Sequence, residues 1–354
     1  MCLLDRKQMH RQGSFVSLLI LFTCAFATVP STAAAQSPAA TPKPSPAPAR
    51  WRGLIGEYGP DDDILIIFED GTLRAHFKRA ERERLNEISK NVYKMASSAT
   101  GYDELIFTRG ARGRAIQVAI DKQVLKRRQI EPESGNQLHV KPLRPVPELM
   151  KEALAARPPQ ETDDFRETDL VELTKLDPTI RLEIRYATTN NFLGTVFYSQ
   201  ARAFMQRPAA EAVVRANRKL KVFGYGLLIH DAYRPWYVTK VFWDATPDDK
   251  KVFVADPAKG SRHNRGCAVD LTLYDLKTKR PVEMVSTYDE TTARAYPDYP
   301  GGTSLQRWHR KLLRDVMESE GFTVYSAEWW HFDYKNWQKY RIGNLRFEEI
   351  RAVK

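Results

Sequence analysis

Two short stretches of this 354-residue chain carry residue types that can bind a metal and move protons. The first is Ser261-Arg262-His263-Asn264-Arg265-Gly266-Cys267-Ala268-Val269-Asp270-Leu271-Thr272-Leu273. Between His263 and Asp270, Asn264-Arg265-Gly266 is turn chemistry that lets the chain bend back before a strand begins. Alternation from Ala268 to Leu273 puts Asp270 on one face with Ala268 and Thr272. A carboxylate flanked by Val269 and Leu271 is costly to bury without a partner. A divalent metal is the natural one, and His with Asp is a zinc-type donor pair. The second stretch, Glu328-Trp329-Trp330-His331-Phe332-Asp333, is an E-x-x-H unit in an aromatic strand. An ideal strand would turn Glu328 and His331 to opposite faces, so a shared site requires a bulge, a twist or a strand end there. Given that irregularity, His331 is a third ligand and Glu328 stands close without ligating. Two His and one Asp leave a fourth position open for water, as catalytic zinc sites do. Zinc lowers the pKa of such a water to about 7, and a neighbouring Glu can take its proton and pass it to a leaving amine.

A third stretch, His230-Asp231-Ala232-Tyr233-Arg234-Pro235, follows the buried apolar run Gly224 to Ile229. An Arg at a strand end, fixed by Pro235, can donate to the oxyanion of a tetrahedral intermediate, typically worth about 3 kcal/mol.

Taken together, His263 with Asp270, Glu328 with His331, and Asp231-Ala232-Tyr233-Arg234-Pro235 resemble the zinc D-alanyl-D-alanine dipeptidases, including the vancomycin-resistance type, within the D,D-carboxypeptidase-like metallopeptidases. The likeness extends to Tyr225-Gly226-Leu227-Leu228 and Asp270-Leu271-Thr272-Leu273-Tyr274, and covers roughly residues 169 to 340. The resemblance implies that His263, Asp270 and His331 bind one zinc, Glu328 is the catalytic base and Arg234 steadies the transition state. It also implies that Ser261 and Asp289 hold the substrate's free amino group and that Tyr198 lines the pocket. The expected reaction is hydrolysis of D-alanyl-D-alanine, or a related small peptide, to its amino acids. Two competing readings stay open. One is an exported zinc D,D-carboxypeptidase or endopeptidase acting on peptidoglycan stem peptides. The other is a non-catalytic wall-binding protein with structural zinc, against which Glu328 beside His331 argues. The chain departs from the family by carrying an N-terminal extension, and by placing Cys267 inside the first motif.

The elements that position these residues read as α+β. Ile180 to Tyr186 alternates like a strand, Ala209 to Leu220 is a helix started near Pro208, and Ser304 to Glu320 is an amphipathic helix closed by Gly321. The expectation is a catalytic domain over residues 169–345, with a central, mainly antiparallel sheet flanked by helices. Before it, residues 129–168 read as a polar connector with a short helix at Glu148 to Ala156. Residues 51–128 read as a small β-rich barrel or sandwich. Its hairpins are Ile64 to Phe68 with Leu73 to Phe77 around Asp70-Gly71, and Glu104 to Thr108 with Ala115 to Ile120. This stretch resembles the β-domains appended to secreted hydrolases, in Gly56-Glu57-Tyr58-Gly59-Pro60 and Leu105-Ile106-Phe107-Thr108-Arg109.

The N-terminus reads as an address. Arg6, Lys7 and Arg11 precede an apolar run from Phe15 to Val29 and the Ala33-Ala34-Ala35 cleavage pattern, so residues 1–35 read as a signal peptide and the mature protein as periplasmic or secreted. Residues 36–50 read as a Pro/Ala linker. Cleavage leaves Cys267 as the sole cysteine, which excludes an internal disulfide; alternation puts it opposite Asp270, as a small buried hydrophobe. The net charge of +11 suits a polyanion. Arg74, Lys78, Arg79, Arg82, Arg84, Lys126, Arg127 and Arg128 read first as a solvated face, being mixed with Glu81, Glu83 and Glu87. Their second reading is docking to an anionic cell wall or membrane surface. Without a stacking platform of interleaved aromatics, nucleic acid is not an expected partner. His230 reads as a support for the site, Asp333 as structural, and His76, His139 and His309 as surface or local.

Overall fold

A computed structural model describes residues 42–77, 82–96, 104–130 and 139–350. The expected signal peptide lies outside these residues, as do Lys78, Arg79 and Glu81. Of the expected linker, residues 42–50 are described, and they pack onto the folded body. Ala47 is buried there, and the Lys43 ammonium sits 5.1 Å from the centre of the Tyr225 ring. Pro48 then leads into the single-turn helix α1 (Ala49–Arg52).

The next eight strands follow one another as an antiparallel meander. They are β1 (Gly56–Tyr58), β2 (Leu65–Glu69), β3 (Leu73–Phe77), β4 (Glu83–Ser89), β5 (Val92–Met95), β6 (Glu104–Arg109), β7 (Ala115–Ile120) and β8 (Gln123–Lys126). The first and last strands meet at Tyr58 and Arg127. Gly59 N–H donates to Lys126 O and Arg128 N–H to Glu57 O, both at 2.9 Å, so the meander curls into a nearly closed barrel. Period-two alternation fills it. Leu105 and Phe107 point into the core while Ile106 between them is exposed. Both expected hairpins form, the first around Gly71 at φ 67°.

Carboxylates of the barrel fasten it to the segment from Tyr299 to Ser304. Buried Glu69 accepts from Ser304 N–H at 2.8 Å and from Ser304 Oγ–H at 2.9 Å, at the N-terminus of the helix that begins at Ser304. A carboxylate there also complements the helix dipole. Tyr299 Oη–H donates to Glu57 at 2.7 Å. Glu69→Ala leaves Ser304 N–H unpaired and Ser304 Oγ–H with only the residue 69 carbonyl at 3.2 Å, and is expected to lower unfolding free energy by about 1–3 kcal/mol. Urea denaturation against wild type measures this; an unchanged midpoint would contradict the fastening.

After helix α2 (Val146–Ala155) come β9 (Leu170–Glu172), α3 (Leu173–Leu176), β10 (Arg181–Leu182), β11 (Phe204–Gln206), α4 (Arg207–Lys221) and β12 (Tyr225–Asp231). Then follow α5 (Trp236–Ala245), β13 (Ala268–Asp275), α6 (Ser304–Ser319), β14 (Phe322–Tyr325) and β15 (Glu328–Tyr334). The main sheet has the order β10-β12-β13-β15-β14, and every pairing but β10 with β12 is antiparallel. The domain is therefore α+β, as the irregular pattern of elements implies. Helix α4 buries Ala209, Ala212, Val213, Ala216 and Leu220. Helix α6 buries Leu312, Leu313, Val316 and Met317 behind a Thr303/Gln306 capping box. In β12 a side chain at Gly226 is forbidden, since a Cβ would lie 2.5 Å from the ring of its cross-strand partner Tyr274.

One expected strand is shortened. Of Ile180 to Tyr186 only Arg181–Leu182 pair, with Leu228 and Ile229. The chain then turns through a 3-10 helix at Arg185–Ala187. The alternation is real in that Ile180, Ile184 and Tyr186 are all buried, but the turn aims Tyr186 into the cleft described next.

Candidate active site

Three adjacent strands carry the centre of the site in one row. The register places Asp231 of β12 opposite Asp270 of β13, and Asp270 opposite His331 of β15. A bulge at His230 brings Asp231 into this row. The irregularity that the Glu328/His331 spacing demands is also present. Tyr325 pairs with Glu328 while the preceding Val324 pairs with Phe332, so residues 329–331 form an extra excursion on β15. Glu328 Oε2 consequently lies 3.8 Å from His331 Nδ1.

His263 arrives from the loop before β13. Asn264 clamps that loop, accepting from Ser261 N–H at 2.7 Å and donating to Arg234 O and Thr239 Oγ1, both at 2.8 Å. Gly266, at φ 66°, closes the turn where a Cβ would lie 2.6 Å from Leu170.

The three expected ligands converge. His263 Nε2, His331 Nδ1 and Asp270 Oδ1 form a triangle with edges of 3.1, 3.0 and 3.4 Å. Donor atoms about 2.0–2.1 Å from a tetrahedral ion stand roughly 3.3 Å apart, so the triangle fits such an ion. The other ring nitrogens are committed. His263 Nδ1–H donates to Ala232 O at 2.6 Å, and His331 Nε2–H to Asp333 Oδ1 at 2.9 Å. Both inward nitrogens are therefore available as ligands, oriented by the partners that metal-bound His residues require. Asp270 Oδ1 is buried and makes no well-formed hydrogen bond. Burial opposes charge on His331, but Asp333 and Asp270 outweigh it and raise its pKa well above the usual range. Burial also works to raise the Asp270 carboxyl; the two histidines outweigh it and hold it well below the ordinary range.

The remaining groups surround this triangle. Glu328 is half-buried, its side chain 16% exposed, and desolvation pushes it up to about 8, reinforced by Asp270 and Asp289 and opposed by His331 and Arg234. Arg234 is buried; its Nε–H and Nη2–H donate to Asp231 Oδ2 at 2.9 and 2.8 Å, and its guanidinium lies over the rings of Tyr186 and Phe242. Asp231 accepts from Tyr198 Oη–H at 2.8 Å on its other oxygen. Ser261, Asp289, Arg234 and Glu328 all line the same cavity as the triangle, with Tyr186, Phe192, Phe242 and Trp330 as its aromatic walls.

Tyr198 is not among the residues lining that cavity. It is buried, and its hydrogen bond to the site goes to Asp231, the partner of Arg234. The tyrosine in the wall is Tyr186, whose Oη–H donates to Asp289 Oδ2 at 2.9 Å. Asp231, the partner of Arg234, was not expected from the sequence, although both stand in the motif Asp231-Ala232-Tyr233-Arg234-Pro235. Nor was Tyr288, which donates to Asp270 Oδ2 at 3.0 Å; adjacency to Asp289 was the available signal. Burial pushes both Tyr186 and Tyr288 well above the usual phenol range, keeping them protonated. Asp333 is structural as expected, and the structure adds that it orients His331. His230 is buried and stacked on Tyr288 at 4.8 Å, and burial pushes it down to about 3. Cys267 is buried, its thiol pushed up to about 12 by desolvation. His309 is not a surface residue: it is buried, with Tyr225 Oη 2.8 Å from its Nε2.

A sheet that presents two His, one Asp and an adjacent Glu in an aromatic cleft defines a metallopeptidase. The comparisons with known proteins agree. The family model described as D-ala-D-ala dipeptidase matches residues 166–341. A D-alanyl-D-alanine dipeptidase of Escherichia coli (strain K12) is 35% identical over 166 residues, covering 47% of this chain and 84% of that protein. Proteins of the same name from Enterococcus faecium and Streptomyces coelicolor are 34% and 30% identical, over 85% and 86% of their lengths and 43% and 44% of this chain. This chain belongs to the D-ala-D-ala dipeptidase family of metallopeptidases.

Proposed function

We propose that the protein is an exported zinc dipeptidase that hydrolyses D-alanyl-D-alanine to two D-alanines. The observation that carries this reading is the triangle of His263, Asp270 and His331, with committed outer partners and with Glu328 3.8 Å from it. Those three side chains would hold the ion, and a two-His, one-carboxylate set with an open position is a catalytic zinc arrangement. When bound, zinc supplies a Lewis acid for the peptide carbonyl and acidifies a water molecule.

The chain's own residues do the rest. Glu328 takes the proton of the attacking water and delivers it to the leaving amine. Its raised pKa suits the second half of that task; a dication beside it favours the carboxylate needed for the first. Arg234, held by Asp231, donates to the developing oxyanion. Asp289 and Ser261 accept from the substrate's ammonium group. The aromatic walls exclude water and strengthen these charge interactions. Export rests on the residue pattern before Gln36, and the basic residues of the barrel are proposed to favour an anionic wall or membrane surface.

Asp289→Ala tests the substrate assignment. Turnover of the free dipeptide is expected to fall roughly a hundredfold, the size of one lost charged hydrogen bond of about 3 kcal/mol. Slow turnover of N-acetyl-D-alanyl-D-alanine should be unchanged. Equal losses on both substrates would refute an ammonium-binding role and favour a stem-peptide substrate.

A further inference from the structure

The two acidic ends of the cleft are joined by a chain of phenols. Asp289 Oδ2 accepts from Tyr186 Oη–H at 2.9 Å, Tyr186 Oη lies 3.2 Å from Tyr288 Oη, and Tyr288 Oη–H reaches Asp270 Oδ2 at 3.0 Å. One end is the acceptor proposed for the substrate's ammonium group; the other is a proposed metal ligand. We propose that Tyr288 and Tyr186 are positioning residues that transmit the occupancy of Asp289 to Asp270, so that a free amino terminus is read in turnover as well as in binding.

Proton counting supports this. The chain has three contacts and two hydroxyl protons. With both phenols donating outward to carboxylates, the central contact has no proton. An ammonium group at Asp289 brings its own N–H donors, which frees the Tyr186 proton to turn towards Tyr288. Tyr288 then both accepts and donates, and hydrogen bonds in such a chain strengthen one another. Its donation to Asp270 tightens, and outer partners of that kind tune a metal ligand. Neither phenol needs to change its charge. Stacking of Tyr288 on His230 and its edge contact with Trp330 hold the ring in place.

The inference rests on the dipeptidase reading, and the experiment separates the two. Tyr186→Phe, Tyr288→Phe and the double variant keep the ring packing and remove only the hydroxyls. For each, kcat and KM on D-alanyl-D-alanine are measured, together with zinc affinity by chelator competition. Tyr288→Phe is expected to lower kcat and to weaken zinc, each roughly tenfold, with KM nearly unchanged. The double variant should lose no more kcat than Tyr288→Phe alone, because one broken link disables the chain. Losses that multiply, or a Tyr288→Phe variant with wild-type kcat and zinc affinity, would overturn the chain. If the wild-type protein does not cleave the dipeptide, the dipeptidase reading fails. Zinc affinity then decides the chain: equal affinity in wild type and Tyr288→Phe overturns it, and a roughly tenfold loss supports the tie to Asp270.

Discussion

Glu328→Gln is expected to lower kcat on D-alanyl-D-alanine by about a thousandfold, within the range for loss of a general base, while zinc content and KM stay close to wild type. Gln keeps the size and the hydrogen-bonding capacity of the side chain but takes no proton. Because Glu328 is 3.8 Å from His331 and outside the converging triangle, its replacement does not remove a ligand. The variant should therefore melt at or slightly above the wild-type temperature, since a half-buried carboxyl that resists ionisation is replaced by a neutral group. Steady-state kinetics, metal analysis and a thermal melt on one preparation check all three statements. Loss of zinc together with activity would make Glu328 a ligand instead of a base.

Asp270→Asn has the opposite signature. It keeps the shape and an acceptor for Tyr288 but removes the negative charge from the ligand set. Zinc affinity is expected to fall by more than about a hundredfold, since even outer partners of metal ligands are worth 10–100-fold. Activity should fall to the level of chelated wild type. Readdition of zinc restores the chelated wild type but not the variant at the same concentration. The variant should also lose the thermal stabilisation that zinc gives the wild type, because a ligand that binds only the native state stabilises it by mass action. A variant that keeps both zinc and activity would remove Asp270 from the ligand set and leave the triangle without its charge balance.

The centre of this site was legible in the sequence because its determinants are local. Asn264-Arg265-Gly266 is turn chemistry whatever surrounds it, and alternation from Ala268 fixes the face of Asp270. The barrel hairpins were legible for the same reason, with Asp70-Gly71 setting the first. What the sequence left open depends on pairing between distant segments. Whether Glu328 and His331 could share a face turned on a bulge defined by the register of β15 against β14. Tyr186 was not read as a cleft residue because alternation reads Ile180 to Tyr186 as one straight strand, whereas a 3-10 turn after Leu182 redirects Tyr186 into the cleft. Asp231 and Tyr288 accept from or donate to neighbours 33 and 18 residues away in the chain, contacts that no periodicity reports, whereas Asp333 orients His331 from two residues along the same strand, within reach of the alternation rule. Helix α5 was not read at all. Its Trp236, Val238, Val241 and Phe242 are residues that favour strands, and their burial on several sides of the helix erases the amphipathic stripe.

The most direct test of the account is the rate of D-alanine release from D-alanyl-D-alanine by the zinc-loaded wild-type protein, with L-alanyl-L-alanine and N-acetyl-D-alanyl-D-alanine in parallel. The account predicts rapid release from the free D,D-dipeptide and little or none from the other two. No release from the free dipeptide, with turnover of the blocked one, would contradict it and make the protein a peptidase of wall stem peptides.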